Sequence, residues 1–383
     1  MKRCRCFNRI ITLCLILMSI LVFSCIKPEA PVCDGDMLSV PENPAAKGPW
    51  EVGARTVTIA GLKVEVWYPA EPGSHDNLEK HQYDIREHLP DDLFLKVIDP
   101  VIQDCDCYRD LPADTDHGPY PVIIMVHGYG GFRTASAALC THWASRGFIV
   151  FSADNPGITL KDLLGNMFGV FFANQSGDTK KIIRNINWMP DSLDFLKNAI
   201  DTSRIGLAGH SAGGAAIRSL GDVPGVRVII PMASGGVDDG AYLLSSLVMG
   251  AENDGVWAYA SQLESYTDSS PENFKRFVGI ANAGHLAFTD ICAIERDKGG
   301  LLGIVDYYGL DFNENLVRLG TDGCEEGRLS PEDGWEIINY ASTAVFEETL
   351  QCSDNSTEII QLIESVYPEK IKNFDYSVLN YLK

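Results

Sequence analysis

One pentapeptide constrains this chain more than any other feature. Gly209-His210-Ser211-Ala212-Gly213 follows directly on Arg204 to Ala208, which reads as a strand buried on both faces, and it opens a stretch of small residues that reads as a helix. Strand, glycine-bounded turn and helix together make the sharp elbow that lifts a serine hydroxyl clear of a sheet. With 35 glycines in 383 residues the pentapeptide alone says little, and its setting carries the signal. Glycines on either side of Ser211 let the backbone turn tightly. Ala212 and Gly213 then put N–H groups at a helix N-terminus, where developing negative charge is stabilised. The rival reading is a glycine-rich turn that only packs helix on strand.

The rest of the chain supplies a sheet for that elbow. Pro121 to Val126 is an unbroken apolar run, and further buried strands are expected at Phe148 to Ser152, Val226 to Ile230, Leu247 to Met249 and Phe277 to Ala281. Helices are expected at Thr134 to Ser145, Pro190 to Asn198, Trp335 to Leu350 and Glu358 to Val366. This alternation predicts the α/β class, with a doubly wound, mostly parallel sheet. Arg55 to Ala70 alternates about Ala60-Gly61 and predicts a β-hairpin. Residues 71–119 are acidic, turn-rich and weakly periodic, so they read as an insertion with short helices. Length alone allows two or three domains. The predicted site residues span 127 to 285, which favours a single domain over 51–383 with that insertion and a C-terminal extension.

A serine hydroxyl is a poor nucleophile at neutral pH and needs a histidine base held by a carboxylate. On an elbow of this kind the chain order is Ser, Asp or Glu, His, each at the C-terminal end of a strand. His285, four residues past the strand Phe277 to Ala281, fits that order. His75, His81, His88 and His117 precede the core of the sheet, and His142 lies within a helix. Asp254, after the strand Leu247 to Met249, is the preferred acid, with Glu252, Asp238 and Asp239 as alternatives. His127-Gly128-Tyr129-Gly130-Gly131 ends the first buried strand. Such a loop supplies an oxyanion N–H, here that of Tyr129, alongside the N–H of Ala212. His127 and His210 read as structural neighbours, not as the base. The set predicts ester hydrolysis through an acyl-enzyme, with no metal and no organic cofactor.

Four stretches carry a family resemblance: HGYGG, SRGFIVFSADNPG, IGLAGHSAGG, and GAENDG followed by AGHLAF. Through them residues 121 to 290 resemble α/β-hydrolases of the dienelactone hydrolase, cutinase-like polyester hydrolase and plasma-type platelet-activating factor acetylhydrolase group. The resemblance implies Ser211 as nucleophile, Asp254 and His285 as its partners, and the Tyr129 and Ala212 N–H groups as the oxyanion hole. It implies a small ester or lipid substrate. Two departures narrow it. Polyester hydrolases carry a Trp after the strand that follows the elbow, whereas this chain reads Ile230-Pro231-Met232-Ala233-Ser234, which argues against a polyester. Dienelactone hydrolases use a cysteine where this chain has Ser211. The alternatives are an acetylhydrolase of short-acyl phospholipids and, from another class, a non-catalytic binding protein on the same scaffold. Asn166 to Phe172, apolar and glycine-containing, reads either as a lid or acyl-chain wall or as a core segment.

The N-terminus reads as an export signal. Lys2, Arg3, Arg5 and Arg9 precede the apolar run Ile10 to Phe23, which is too short for a comfortable membrane span. Val22-Phe23-Ser24-Cys25 resembles a bacterial lipobox, so residues 1–24 are expected to leave and Cys25 to carry lipid. Plain cleavage nearby and a retained anchor are the alternatives. Residues 25–50, rich in Pro and small polar residues, read as a tether. The chain is thus expected to be exported, touching membrane only through that lipid. With 31 basic against 52 acidic residues and a formal charge of −21, nucleic acid is excluded as a partner. Cys33, Cys105, Cys107, Cys140, Cys292, Cys324 and Cys352 remain in the mature chain, an odd number that leaves at least one unpaired. A bridge between Cys292 and Cys324 would brace the histidine loop. Cys105-Asp106-Cys107 is too tightly spaced for zinc.

Overall fold

The computed structural model describes residues 31–377, except 34–35, 166–172, 270–273, 313 and 354–355. The export segment, Cys25 and the apolar run Asn166 to Phe172 therefore lie outside the described residues. Twelve strands are described: β1 (Val52–Ile59), β2 (Leu62–Pro69), β3 (Gln82–Asp84), β4 (Ile102–Asp104), β5 (Tyr108–Arg109), β6 (Tyr120–Val126), β7 (Ile149–Ala153), β8 (Ile200–His210), β9 (Val226–Met232), β10 (Ser245–Ala251), β11 (Phe274–Ile280) and β12 (Ile371–Ser377). Ten of them make one sheet in the order β12-β11-β10-β9-β8-β6-β7-β2-β1-β5, while β3 and β4 pair separately. Neighbours from β11 through β7 run parallel, and antiparallel pairs flank them at β11–β12, β7–β2 and β2–β1. This is the α/β-hydrolase architecture.

The expected hairpin is β1–β2, closed by Ala60 and Gly61 at φ 52° and 83°, the positive values a two-residue type I′ turn needs. The unbroken apolar run of β6 is explained by its two covered faces. Ile123 and Met125 join the core on one side of the sheet, and Val122, Ile124 and Val126 join that on the other. The helices Ala137–Ser145 and Pro331–Leu350 cover the first side, with Trp143 edge-on to Phe346. Gly206 of β8 admits the long helix, since a Cβ there would lie 2.6 Å from the Phe346 ring.

Several expectations are corrected in detail. Pro190 to Asn198 holds a 3-10 helix over Asp191–Leu196, whose buried Leu193 and Leu196 stand three residues apart, the 3-10 spacing. The insertion 71–119 carries, besides a 3-10 turn (Ile85–His88) and a short helix (Asp91–Lys96), the β3–β4 pair and the edge strand β5. The Pro-rich segment 36–50 is docked, not a free tether. Arg146, fully buried, donates to the carbonyls of Pro41, Asn43 and Ala46, and Trp50 is buried with its Nε1 donating to Asp114. Beyond His285 the chain adds β12 to the sheet edge, a strand with no fully buried residue and no regular alternation, which the sequence does not announce. Disulfides join Cys33–Cys352, Cys105–Cys107 and Cys292–Cys324, and Cys140 is free and buried.

His142, inside the helix Ala137–Ser145, is buried with Nε2 donating to the Pro44 carbonyl at 2.8 Å. Burial, aided by neighbouring Arg146, lowers its pKa to about 4. The unfolded value is about 6.5. Between those two pH values the unfolded chain binds the proton and the folded chain does not, so the contribution is complete above pH ~6.5. It is lost as pH falls towards 4, at up to about 1.4 kcal/mol per pH unit. The gap in urea midpoint between wild type and His142→Gln is therefore expected to shift in favour of the variant from pH 7 to pH 4.5. A gap independent of pH would contradict this assignment.

Candidate active site

Ser211 sits where β8 turns into the helix Ala212–Ile217, with φ 54° and ψ −121°, a sparsely populated conformation for a residue with a side chain. Two backbone bonds hold it: Ser211 N–H donates to Met232 O at 2.9 Å, and Ala215 N–H donates to Ser211 O at 3.1 Å. The flanking glycine is obligatory, because a Cβ on Gly213 would fall 2.1 Å from the Val126 carbonyl oxygen of β6. The helix can thus press onto the sheet and leave Ser211 partly exposed at its C-terminal edge.

The loop after β6 lies against this turn. A Cβ on Gly128 would come within 3.0 Å of both the Ser211 Cβ and the His210 Nδ1. His127 fixes the loop as expected: Nδ1 donates to Gly128 O at 2.8 Å, Nε2 accepts from Asn155 N–H at 3.2 Å, and its carbonyl accepts from Gln175 Nε2 at 2.7 Å. Gly130 N–H and Gly131 N–H are spent on Ile158 O and Gly128 O. Among the described residues, neither Tyr129 N–H nor Ala212 N–H donates a hydrogen bond. Both are therefore open to a ligand, the second at a helix N-terminus where no intrahelical partner exists.

His285 opens a 3-10 turn (His285–Phe288) beyond β11 and is buried. Its Nδ1 donates to Asp254 Oδ2 at 2.8 Å. Asp254 follows β10, and its carboxylate also accepts from Val256 N–H (2.8 Å), Trp257 N–H (2.7 Å) and Gln262 Nε2 (2.9 Å). With Nδ1 committed to the carboxylate, the imidazole presents Nε2 as the free acceptor. The rival acids are occupied elsewhere: Glu252 pairs with Lys372 and accepts Asn282 N–H, and Asp238 pairs with Arg218. The carboxylate on the imidazole is that of Asp254, not Asp239.

His210 belongs to the scaffold. Its Nε2 donates to the His285 carbonyl at 2.8 Å, and the two rings lie 4.8 Å apart. Burial and the neighbouring His285 push its pKa down to about 3, and burial lowers that of His127. Both stay neutral at pH 7. One carboxylate escaped the sequence reading. Asp322 Oδ1 accepts the His285 N–H at 2.7 Å, and Oδ2 accepts the Gly255 N–H at 3.1 Å, so a residue of the tail clamps the loops carrying His285 and Asp254. The available signal was Cys324, two residues on, whose bridge to Cys292 ties this segment to the histidine loop. Among the described residues no three His, Cys, Asp or Glu side chains group as metal ligands would.

Residues 108–295 match the PET hydrolase-like family, and residues 39–155 match platelet-activating factor acetylhydrolase, isoform II. The chain is 24% identical over 181 residues to a bis(hydroxyethyl) terephthalate hydrolase of Streptomyces coelicolor, covering 46% of this chain and 54% of that protein. It is 23% identical over 312 residues to a platelet-activating factor acetylhydrolase of Gallus gallus, covering 67% and 69%. It is 25% identical over 177 residues to cutinase est1 of Thermobifida alba, covering 45% and 55%. The chain thus spans about half the length of the terephthalate ester hydrolase and of the cutinase.

Proposed function

We propose, from the premise that this chain belongs with the α/β-hydrolases of the polyester hydrolase and platelet-activating factor acetylhydrolase group, that it is a serine carboxylic ester hydrolase. The observation that carries the reading is the His285 Nδ1–Asp254 hydrogen bond, on a loop whose carbonyl accepts from His210, the residue next to Ser211 on its strained elbow.

In this reading Ser211 Oγ attacks the ester carbonyl carbon while His285 Nε2 takes the hydroxyl proton. Asp254 holds the tautomer and stabilises the imidazolium. The tetrahedral oxyanion is received by the Tyr129 and Ala212 N–H groups. Collapse of the intermediate breaks the carbon–oxygen bond, His285 passes its proton to the leaving alcohol, and the acyl group stays on Ser211. Water, deprotonated by His285, then attacks the acyl carbon, the bond to Ser211 Oγ breaks, His285 returns the proton to Oγ, and the acid is released. The substrate is a small ester or a lipid. A second reading, hydrolysis of short-acyl phospholipids, is favoured by the match over residues 39–155. Activity on short-acyl phosphatidylcholine without activity on soluble aryl esters would select it.

Hydrolysis of p-nitrophenyl butyrate by the purified chain is the direct test. Turnover with a burst of nitrophenol supports an acyl-enzyme, and no hydrolysis of any ester would leave a non-catalytic binding protein instead. Export belongs to the same proposal, with residues 1–24 as signal, Cys25 lipidated and the rest a single hydrolase domain. Three disulfides support an oxidising compartment. Palmitate labelling that survives Cys25→Ser would contradict the anchor.

A further inference from the structure

We infer that the apolar cavity beside the oxyanion loop seats a linear aliphatic acyl chain, so that this enzyme prefers medium-chain acyl esters to acetyl esters. The inference rests on the ester hydrolase reading above. The cavity, ≈ 200 Å³, starts at Gly128–Gly131 and at His210 and Leu286, the neighbours of Ser211 and His285. It runs away from the site between three walls that the compact sheet does not supply. The insertion contributes Leu89, Leu93 and Val97, the helix Leu160–Gly165 contributes Leu163, and the tail helix Gly300–Tyr307 contributes Leu301 and Val305.

The chemistry of the polar groups in these walls decides what can enter. The Arg86 guanidinium is taken up by both oxygens of Asp84 and by the carbonyls of Val97 and Ile98. The hydroxyls of Ser136, Thr289 and Thr321 donate to the carbonyls of Phe288, Leu286 and Val317. His127 and His210 are engaged as described above. A phosphate or sugar would thus enter without its water and find these donors already spent, which costs free energy, whereas a hydrocarbon chain loses only water. Five consecutive loop residues, Gly128 to Phe132, line the cavity. In this inference the acyl chain of an ester whose carbonyl oxygen rests on the Tyr129 N–H enters the cavity that Tyr129 lines, and the alcohol leaves on the other side.

The test is the acyl series p-nitrophenyl acetate, butyrate, hexanoate and octanoate, each kept below its aggregation limit. Burying one methylene is worth about fourfold in kcat/KM, so octanoate is expected to exceed acetate by more than about 100-fold. Val305→Trp fills the cavity from a helix without buried residues. It is expected to lower kcat/KM for octanoate by at least about tenfold while leaving acetate within about twofold of wild type. Preference for acetate in the wild type would overturn the inference. So would a chain-length dependence confined to the alcohol side, seen with ethyl against octyl acetate, or an equal loss on all substrates in Val305→Trp. The wild-type series decides alone if the variant does not fold. Failure to hydrolyse any ester would instead remove the hydrolase reading, and the inference with it.

Discussion

Replacing Ser211 with alanine is expected to lower kcat for a soluble aryl ester by about 10⁴- to 10⁶-fold. His210 and His127 are locked in the scaffold by hydrogen bonds, and Ala212 beside the elbow has no nucleophilic atom. The fold should survive the change. The strained turn at φ 54° is held by backbone bonds from Ser211 N–H to Met232 O and from Ala215 N–H to Ser211 O, and alanine keeps both. Circular dichroism and the melting temperature should therefore match wild type closely. Residual hydrolysis above the rate in water is expected, because the open N–H groups still polarise the carbonyl. Activity within about tenfold of wild type would move the nucleophile elsewhere.

Asp254→Asn is expected to cost about 10⁴-fold in kcat with little change in KM. The reason lies in the donors around the carboxylate. Val256 N–H and Trp257 N–H fix one oxygen of the side chain as an acceptor, so an asparagine keeps its carbonyl there. Its amide NH₂ then faces His285 Nδ1 and Gln262 Nε2. Since Nδ1 can no longer donate, the imidazole is driven to the tautomer with its proton on Nε2, which cannot accept the serine proton. Asp239→Asn should stay within about twofold of wild type. The opposite outcome, a large loss at Asp239 and a small one at Asp254, would place the acid after β9 and contradict the hydrogen bond at His285. Progress curves for both variants under saturating substrate separate the two cases.

The candidate catalytic elements were legible because each carries a local signature. Ser211 stands between glycines at the end of an apolar strand, and the backbone there needs those glycines: at Gly213 nothing larger fits under Val126 O. Asp254 and His285 each close a buried parallel strand, so strand order alone narrows the choice, and the structure joins them. What stayed hidden depends on contacts between distant residues. Asp322 acts on backbone N–H groups at Gly255 and His285, and no periodicity in the tail announces that. Segment 36–50 looked like a tether since its anchors are carbonyl oxygens, which every residue has, received by the buried Arg146. The cavity walls come from 89–97, Leu163 and 301–305, three stretches whose apolar residues look unremarkable until the fold turns them to one side.

Covalent labelling shows whether Ser211 is the nucleophile of an ester hydrolase. A fluorophosphonate reacts preferentially with a serine whose hydroxyl is activated by a neighbouring base. Digestion and tandem mass spectrometry of the treated protein are expected to show a single adduct on Ser211, absent from Ser211→Ala and strongly slowed in Asp254→Asn. An adduct on any other residue, or labelling of Ser211→Ala at the wild-type rate, would place the nucleophile elsewhere.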